Sequence, residues 1–423
     1  MKYQQSNISE NNFEQCTKCT ICTVYCPMLE VNPLYPGPKQ AGPDGERYRL
    51  REPMYYDEAL RYCLNCKRCE MSCPSGVRIG DIITLARIKN SKARRAPLRD
   101  RLLAQTDMLG SVASYVAPVV NSTLSSRWFR KALDGVLSID QRSSLPNYTG
   151  ERFTTWYRKE EQAAKQSAYP RRLAYFYGCW VNYHNPDLGR AMIEVFNAVG
   201  CGLVLMDDVR CCGREKISSG MLRSAQSDAK ANLEQFRMAV GEGGAVKVVA
   251  TSPACIYTLR ESYHNILGLD VADLKERLTL ATRFLYRLME RGEIRFAFRE
   301  DYHRRVAYHS ACYMERLGWT LYSTSLLRLI PGVELLMLPS QCCGRAGSYA
   351  LRSENYSFSE AIGGSLFGAI ESMDIDCVVT DCESCREQIA SHTSARVLHP
   401  IEILAEALDL PKTRELNGVK EVE

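Results

Sequence analysis

Apolar positions Ile79, Ile82, Ile83 and Ala86 recur at helical spacing, so the pattern predicts a helix after Cys73. In the second half of the chain the period shortens. Residues 246–250 and 377–380 are short runs rich in β-formers, and each leads into a cysteine. These runs belong to a repeat. Ala174-Tyr175 precedes Cys179 at the offset at which Ala307-Tyr308 precedes Cys312. Leu205-Met206 precedes Cys211-Cys212-Gly213 as Leu336-Met337 precedes Cys342-Cys343-Gly344. Each copy reads as strand, helix, strand, Cys-Cys-Gly loop, helix, strand, cysteine loop, helix. Such alternation predicts α/β units on a parallel sheet. The cysteine loops then fall at the strand ends, where open α/β sheets hold their ligands. Matching copies are expected to pair face to face about a pseudo-twofold axis.

The pattern is less regular before the repeat. Residues 31–53 are rich in Pro and Gly and read as an irregular connector. Residues 108–120 are apolar but broken by Gly110 and Pro118, and too short for the ~20 residues of a membrane-spanning helix. Residues 91–101 carry Lys92, Arg94, Arg95, Arg99 and Arg101 and read as a solvated linker. Trp128, Phe129, Trp156 and Tyr157 lie near Arg127, Arg130 and Arg158, which suits an interfacial helix. With residues 108–120 they form the expected membrane contact, packing on the modules being the alternative. The polar start (Met1 to Gln15) has no apolar signal core, so no secretion is read. These breaks divide the chain into 1–95, an α-helical ferredoxin-like domain; 96–170, a helical linker; and 171–300 and 301–412, the two α/β modules.

Composition sharpens the picture at one point. The 423 residues are 45% hydrophobic with a formal charge of +5, enough for several cores and too mild to argue for nucleic acid. A slightly basic chain suits an acidic partner or an anionic membrane surface. Cysteine is the outlier, at 19 residues. In a chain with no secretion signal, such a number points to metal ligands or redox chemistry rather than disulfides.

The cysteines before residue 75 form Cys16-x2-Cys19-x2-Cys22-x3-Cys26-Pro27 and Cys63-x2-Cys66-x2-Cys69-x3-Cys73-Pro74. This is the spacing of bacterial ferredoxins, present twice. A tight loop wraps three thiolates around one face of a 4Fe-4S cube, and the fourth cysteine reaches the other cluster. One cluster is expected on Cys16, Cys19, Cys22 and Cys73, the other on Cys63, Cys66, Cys69 and Cys26. Zinc sites use paired CxxC units instead. Lys18, Lys67 and Arg68 lie beside the ligands, where positive charge raises a cluster's potential, unless they are plain surface charges.

In the repeat, the second copy aligns five cysteines: Cys312, Cys342, Cys343, Cys382 and Cys385. The first aligns four: Cys179, Cys211, Cys212 and Cys255, with Ser252 at the place of Cys382. Five thiols exceed a tetrahedral zinc shell, so the second copy reads as holding more than one metal. The first could hold a four-cysteine cluster, a zinc or nothing. Cys201 and Cys377 fall outside the pattern and read as core residues.

The Cys-Cys-Gly copies resemble those of heterodisulfide reductase catalytic subunits. Two ferredoxin motifs followed by two such copies, with the segment Asn32-Pro33-Leu34-Tyr35-Pro36-Gly37-Pro38-Lys39-Gln40-Ala41-Gly42-Pro43-Asp44-Gly45-Glu46-Arg47, resemble more closely the C subunits of anaerobic glycerol-3-phosphate dehydrogenases. That resemblance implies an iron–sulfur electron-transfer subunit of a three-subunit complex. The flavoprotein A-subunit, assisted by the B-subunit, would oxidise glycerol 3-phosphate, and this chain would pass the electrons to menaquinone. It would sit peripherally on the cytoplasmic face of the bacterial inner membrane. The resemblance also implies a noncubane 4Fe-4S cluster on the five-cysteine set, or zinc as in some relatives. Quinone reduction needs protons, and His309 and His184, close in sequence to Cys312 and Cys179, are the candidate donors. The alternative function is catalytic reduction of a disulfide.

Overall fold

Among the described residues of the computed structural model, every strand lies beyond residue 170. The structure describes residues 12–52, 55, 57–93 and 96–420, with the backbone alone for 91–93. Most of the polar start read for secretion, and the side chains of Lys92, Arg94 and Arg95, lie outside it.

The strands are β1 (Arg171–Tyr175), β2 (Cys201–Val204), β3 (Val248–Ala250), β4 (Leu278–Leu280), β5 (Arg304–Tyr308), β6 (Val333–Met337), β7 (Cys377–Val379) and β8 (Val397–Leu398). They form two four-stranded parallel sheets, in the orders β2-β1-β3-β4 and β6-β5-β7-β8. The registers repeat as well: Ala174 pairs with Val248 as Ala307 pairs with Val378. All residues of β3 and β7 are buried, as expected of central strands covered by helices on both faces. The repeat thus folds as α/β units. Each sheet has a fourth strand, β4 or β8, that the sequence pattern did not suggest.

The modules pack by exchange of equivalent helices. Helix Pro186–Ala198 of the first lies on Pro400–Ala407 of the second, and Ala281–Glu290 lies on Thr320–Arg328. Pro186–Ala198 and Thr320–Arg328 hold the same place in their modules, so the pairing has pseudo-twofold character. A core containing Phe176, Leu233, Leu366 and Val378 runs through both modules. Each such side chain contributes roughly 1.5–3 kcal/mol when buried.

Residues 12–93 are helical and wrap two cysteine loops. Segment 31–53 differs from the irregular connector expected. It contains a π-helical turn, Gln40–Asp44, running into helix Gly45–Arg51. The buried guanidinium of Arg49 donates to the carbonyls of Ala41 and Gly42 and pairs with Glu46 at 2.6 Å.

The linker is a strap of short helices touching both modules. Gly110 lies so close beneath the ring of Tyr183 that a Cβ would stand 2.4 Å from it. Arg345 donates to the Ser144 carbonyl. Arg99, expected in solvent, is instead largely buried between Asp100, the Ser138 carbonyl and Glu354. Tyr157 is buried and Trp156 stacks on Phe153, so both belong to the first module's core rather than to an exposed face.

Candidate metal centres

The two ferredoxin-type loops share one backbone path. Lys18 and Thr20 in the first, and Asn65 and Lys67 in the second, take left-handed conformations at matching offsets from their cysteines. Each costs an L-residue roughly 1–2 kcal/mol, which persists where the surroundings fix the loop. These turns gather the thiols. Burial and the charges of Cys16, Cys73 and Cys19 push the Cys22 thiol up. Burial and then Cys66 and Cys63 do the same to Cys26. A pocket is lined by Cys26, Cys63, Cys66 and Cys69, with Tyr35 in its wall. In each motif the fourth cysteine has therefore crossed to the other loop. Among the described residues, no three His, Cys, Asp or Glu side chains form a shell for one bare ion. Four thiols spread around a cavity fit a polynuclear group, whose positive core offsets the repulsion between thiolates. Backbone N–H groups of Asn65 and Val77 donate to Sγ of Cys63 and Cys73 at 3.4 Å.

The second of these sites faces the second module. Arg68 pairs with Glu315 at 3.2 Å and donates to Ser340, while Tyr313 donates to the Asn65 carbonyl at 3.1 Å. Lys67 is buried rather than a surface charge: it binds Glu70 and Asp81, all three side chains being nearly inaccessible. Arg68 lies within charge reach of Cys342, Cys66 and Cys312. Lys18 alone of the three cations is exposed.

In the second module the five cysteines come together at the carboxyl edge of the sheet. Cys343 Sγ is 3.3 Å from Cys385 Sγ, and Cys312 feels Cys66, Cys382 and Cys343. Cys343 is held well below the ordinary thiol range by hydrogen bonds from Cys342 and Cys385, while Cys342 and Cys385 are pushed up. Gly344 follows the pair with φ +80°, and a Cβ there would strike the Ser359 carbonyl at 2.2 Å, which explains the glycine. Three arginines crowd this site: Arg68, Arg345 near Cys343, and Arg214, which reaches from the first module toward Cys382.

In the first module Cys211 Sγ lies 3.9 Å from Cys179 Sγ, and Cys212 is in contact with Cys211 and Cys255. Gly213 repeats the left-handed turn at φ +79°. Ser252 takes the place of the missing cysteine: its Oγ caps helix Pro253–Tyr257 by accepting the Cys255 N–H, and donates to Glu383 at 3.1 Å. A pocket opens here between the modules, lined among others by Cys179, Cys255, Cys382, Glu383 and His399.

His309 is buried beside Cys343, and its Nδ1 has no partner. His184 is differently placed. Its Nδ1 bonds the Asn147 carbonyl, its ring stacks on Trp180, and burial holds it down to about 4. Burial lowers His309 as well, so the two differ in their partners: His184 is held by Asn147 and Trp180, whereas the Nδ1 of His309 has none. Cys201 and Cys377 lie on β2 and β7 in the core. Sequence reasoning missed Arg214 and Arg345, although both directly follow a Cys-Cys-Gly. It missed Tyr35, Asp107 and Glu383, for which no local signal exists.

Comparisons with known proteins agree with this arrangement. A family model described as a 4Fe-4S dicluster domain matches residues 12–77. One described as a cysteine-rich domain matches twice, over 173–260 and 306–390. The C-subunit of the anaerobic glycerol-3-phosphate dehydrogenase of Escherichia coli (strain K12) is 48% identical over 95% of this chain and 100% of its own length. The glycolate oxidase iron-sulfur subunit of the same organism is 26% identical, covering 93% of this chain and 94% of its own length. The B-subunit of the fumarate reductase (CoM/CoB) of Methanothermobacter marburgensis is 24% identical, covering 93% and 71%.

Proposed function

The chain belongs to the family of the anaerobic glycerol-3-phosphate dehydrogenase C subunits, and on that premise we propose that it passes electrons from the flavoprotein A-subunit, with the B-subunit, to menaquinone. Iron–sulfur clusters, when bound, supply the one-electron carriers: 4Fe-4S cubes on the two crossed cysteine sets and a noncubane 4Fe-4S cluster on the second module's five cysteines.

The observation that carries this reading is the order of the cysteine sites. Cys19 is exposed, flanked by exposed Ile21, Val24, Tyr25 and Leu34, which is the face expected to receive the flavoprotein. In the second set Cys69 is buried and Cys26, Cys63 and Cys66 are half-buried, and Cys66 lies within charge reach of Cys312 and Cys342 of the module. The module's own set is more buried again, with Cys343, Cys382 and Cys385 all buried. At the inner end, His309 offers an unused nitrogen for proton handling next to Cys343, while Arg68, Arg214 and Arg345 favour added negative charge.

The test uses anaerobically purified chain assembled with the A- and B-subunits. Glycerol 3-phosphate is expected to bleach the iron–sulfur absorbance, and a menaquinone analogue to restore it. Intact clusters that stay oxidised would sink the proposal. Recovery with a disulfide but not the quinone would support the disulfide-reductase reading instead.

Membrane contact is assigned to helices Thr106–Tyr115, Ala117–Ser125 and Arg127–Leu137. Val112, Tyr115, Val119, Trp128 and Val136 project from them at 65% exposure or more. Arg127 and Lys131 flank Trp128, a pattern that suits the cytoplasmic leaflet. Among the described residues, no helix is long and apolar enough to cross a membrane. Trp128→Glu with Val136→Glu is expected to abolish cosedimentation with vesicles containing anionic lipid and to leave iron content unchanged. Undiminished binding removes this face from the proposal.

A further inference from the structure

One pocket lies where the ferredoxin-like domain meets both modules, and no cysteine set fills it. It is larger than the pocket at Cys26 and the pocket between the modules. Its walls come from the loop carrying Cys63, from Arg214 and Ile217 behind the first Cys-Cys-Gly turn, and from Ala346 and Ser348 behind the second. The lining is of two kinds. Leu64, Ile217 and the Tyr313 ring are apolar, whereas Arg61, Arg87, Arg214 and Arg352 bring guanidinium groups. Carboxylates meet part of that charge: Glu58 faces Arg61, Glu215 faces Arg214 and Asp100 faces Arg352, with Glu354 also within reach of Arg61. Arg87 donates to the carbonyls of Leu60 and Cys63. Tyr349 completes the wall. It is 6% exposed, and its hydroxyl has no hydrogen-bond partner among the described residues. That hydroxyl lies within charge reach of Arg87, Cys63, Arg352 and Tyr62, the first three of which line the pocket. A buried hydroxyl without a partner is costly, and an acceptor atom in the pocket would remove the cost.

We infer that this pocket holds the quinone ring, with the Tyr349 hydroxyl as hydrogen-bond donor to one of its carbonyl oxygens. This rests on the reading that menaquinone is the acceptor. A quinone ring is flat and apolar and carries two acceptor oxygens and no donor, so its site needs apolar walls and a few donors. The pocket offers both. An inorganic anion would use the guanidinium groups but gains nothing from Leu64 and Ile217. Reduction puts negative charge on the quinone oxygens, and guanidinium groups already in place stabilise it there. The apolar tail of a quinone stays in lipid, so its site must also connect with the membrane face. The wall segment makes that connection. Ile139 and Arg352 form an antiparallel bridge, the Asp140 N–H donates to the Leu351 carbonyl at 2.9 Å, and the Ser353 N–H donates to the Ser138 carbonyl at 3.0 Å. The Ser353 hydroxyl donates to Asp134 at 2.6 Å. Tyr349 and Arg352 are thus tied to the end of helix Arg127–Leu137, from which Trp128 and Val136 project. With Cys63 in the opposite wall, a bound ring lies beside the second ferredoxin-type set.

Tyr349→Phe removes one oxygen that has no partner in the protein, and Ser218→Trp plugs the pocket from an exposed helix position. The anaerobically purified chain, assembled with the A- and B-subunits, is titrated with a short-tailed naphthoquinone. Tyr349→Phe is expected to raise the dissociation constant about 3- to 10-fold, the loss of one hydrogen bond. Ser218→Trp is expected to raise it further, and both variants to keep the wild-type iron content and melting temperature. An azido-naphthoquinone should label the peptides around 214–218 and 346–352 in the wild type and not in Ser218→Trp. Wild-type affinity in both variants, with the label elsewhere, overturns the pocket and leaves menaquinone as the acceptor. Loss of the label to added inorganic phosphate makes this an anion site and overturns the inference too. If the wild-type complex neither binds the quinone nor is reoxidised by it, the functional reading itself falls.

Discussion

Replacing Cys73 by alanine is expected to destroy the cluster of the other motif, the one on Cys16, Cys19 and Cys22, and to spare the cluster on Cys63, Cys66 and Cys69. The reason is geometric. Cys22 lies within charge reach of Cys16, Cys73 and Cys19, whereas the cavity shared by Cys63, Cys66 and Cys69 is completed by Cys26. Iron should fall by about four per chain from the about eight of two cubes. Iron counting alone cannot say which cube was lost, but the freed thiols can. Alkylation under anaerobic conditions followed by peptide mapping should label Cys16, Cys19 and Cys22 in Cys73→Ala, and Cys63, Cys66 and Cys69 in Cys26→Ala. Labelling within the mutated motif itself would show that each motif closes its own cluster. Because the exposed Cys19 belongs to the outer set, Cys73→Ala should also abolish reduction by the flavoprotein while chemical reductants still reach the remaining iron.

How far the sequence reveals this protein depends on the range of the interaction. The cysteine spacings are local and were legible, because a loop that wraps a cube must place its thiols a fixed few residues apart. The repeat was legible because two copies of a pattern corroborate each other; it gave the succession of strands and helices in each unit except for β4 and β8. Connector 31–53 misled, since Pro and Gly there serve a π-helical turn held by the buried Arg49 rather than an open loop. Arg99 misled because a basic residue reads as a surface feature until a distant partner, Glu354, covers it, and for Trp156 the packing alternative is the one realised, against Phe153. Asp107 and Glu383 reach their site across more than a hundred residues of chain. Only the fold brings them there, and a single sequence holds no trace of it.

Lys67→Met is expected to lower stability more than any other exchange of a residue that is not a metal ligand. Lys67 Nζ binds Glu70 Oε1 at 3.1 Å and Asp81 Oδ1, with side chains 1%, 2% and 3% exposed. Gly80 gives the cluster its room, since a Cβ there would stand 3.0 Å from Lys67 Nζ. Removing the cation leaves Glu70 with Arg316 at 3.4 Å and Asp81 with Arg78 at 3.9 Å as their remaining cations, a partial loss of pairing in a dry interior whose upper bound is about 3–5 kcal/mol. The loss falls on the loop that carries Cys66 and Cys69, so anaerobic calorimetry should show a melting temperature lower by several degrees, together with faster loss of iron. The pH dependence separates a charge effect from a packing one. In the wild type, the raised Lys67 keeps its contribution at all pH values below the ordinary lysine range and loses it only as pH climbs through the raised value. In the variant, Glu70, already raised by burial, loses the cation that most opposes that rise, so its penalty is present above the ordinary carboxyl range and vanishes as pH falls through about 4–5. The deficit should therefore shrink on mild acidification. It should also shrink in the triple variant Lys67→Met, Glu70→Leu, Asp81→Leu, in which no charge is left buried. A deficit that is the same at every pH and persists in the triple variant would assign the effect to packing of the lysine stem against Tyr257, whose ring lies 5.8 Å from Nζ.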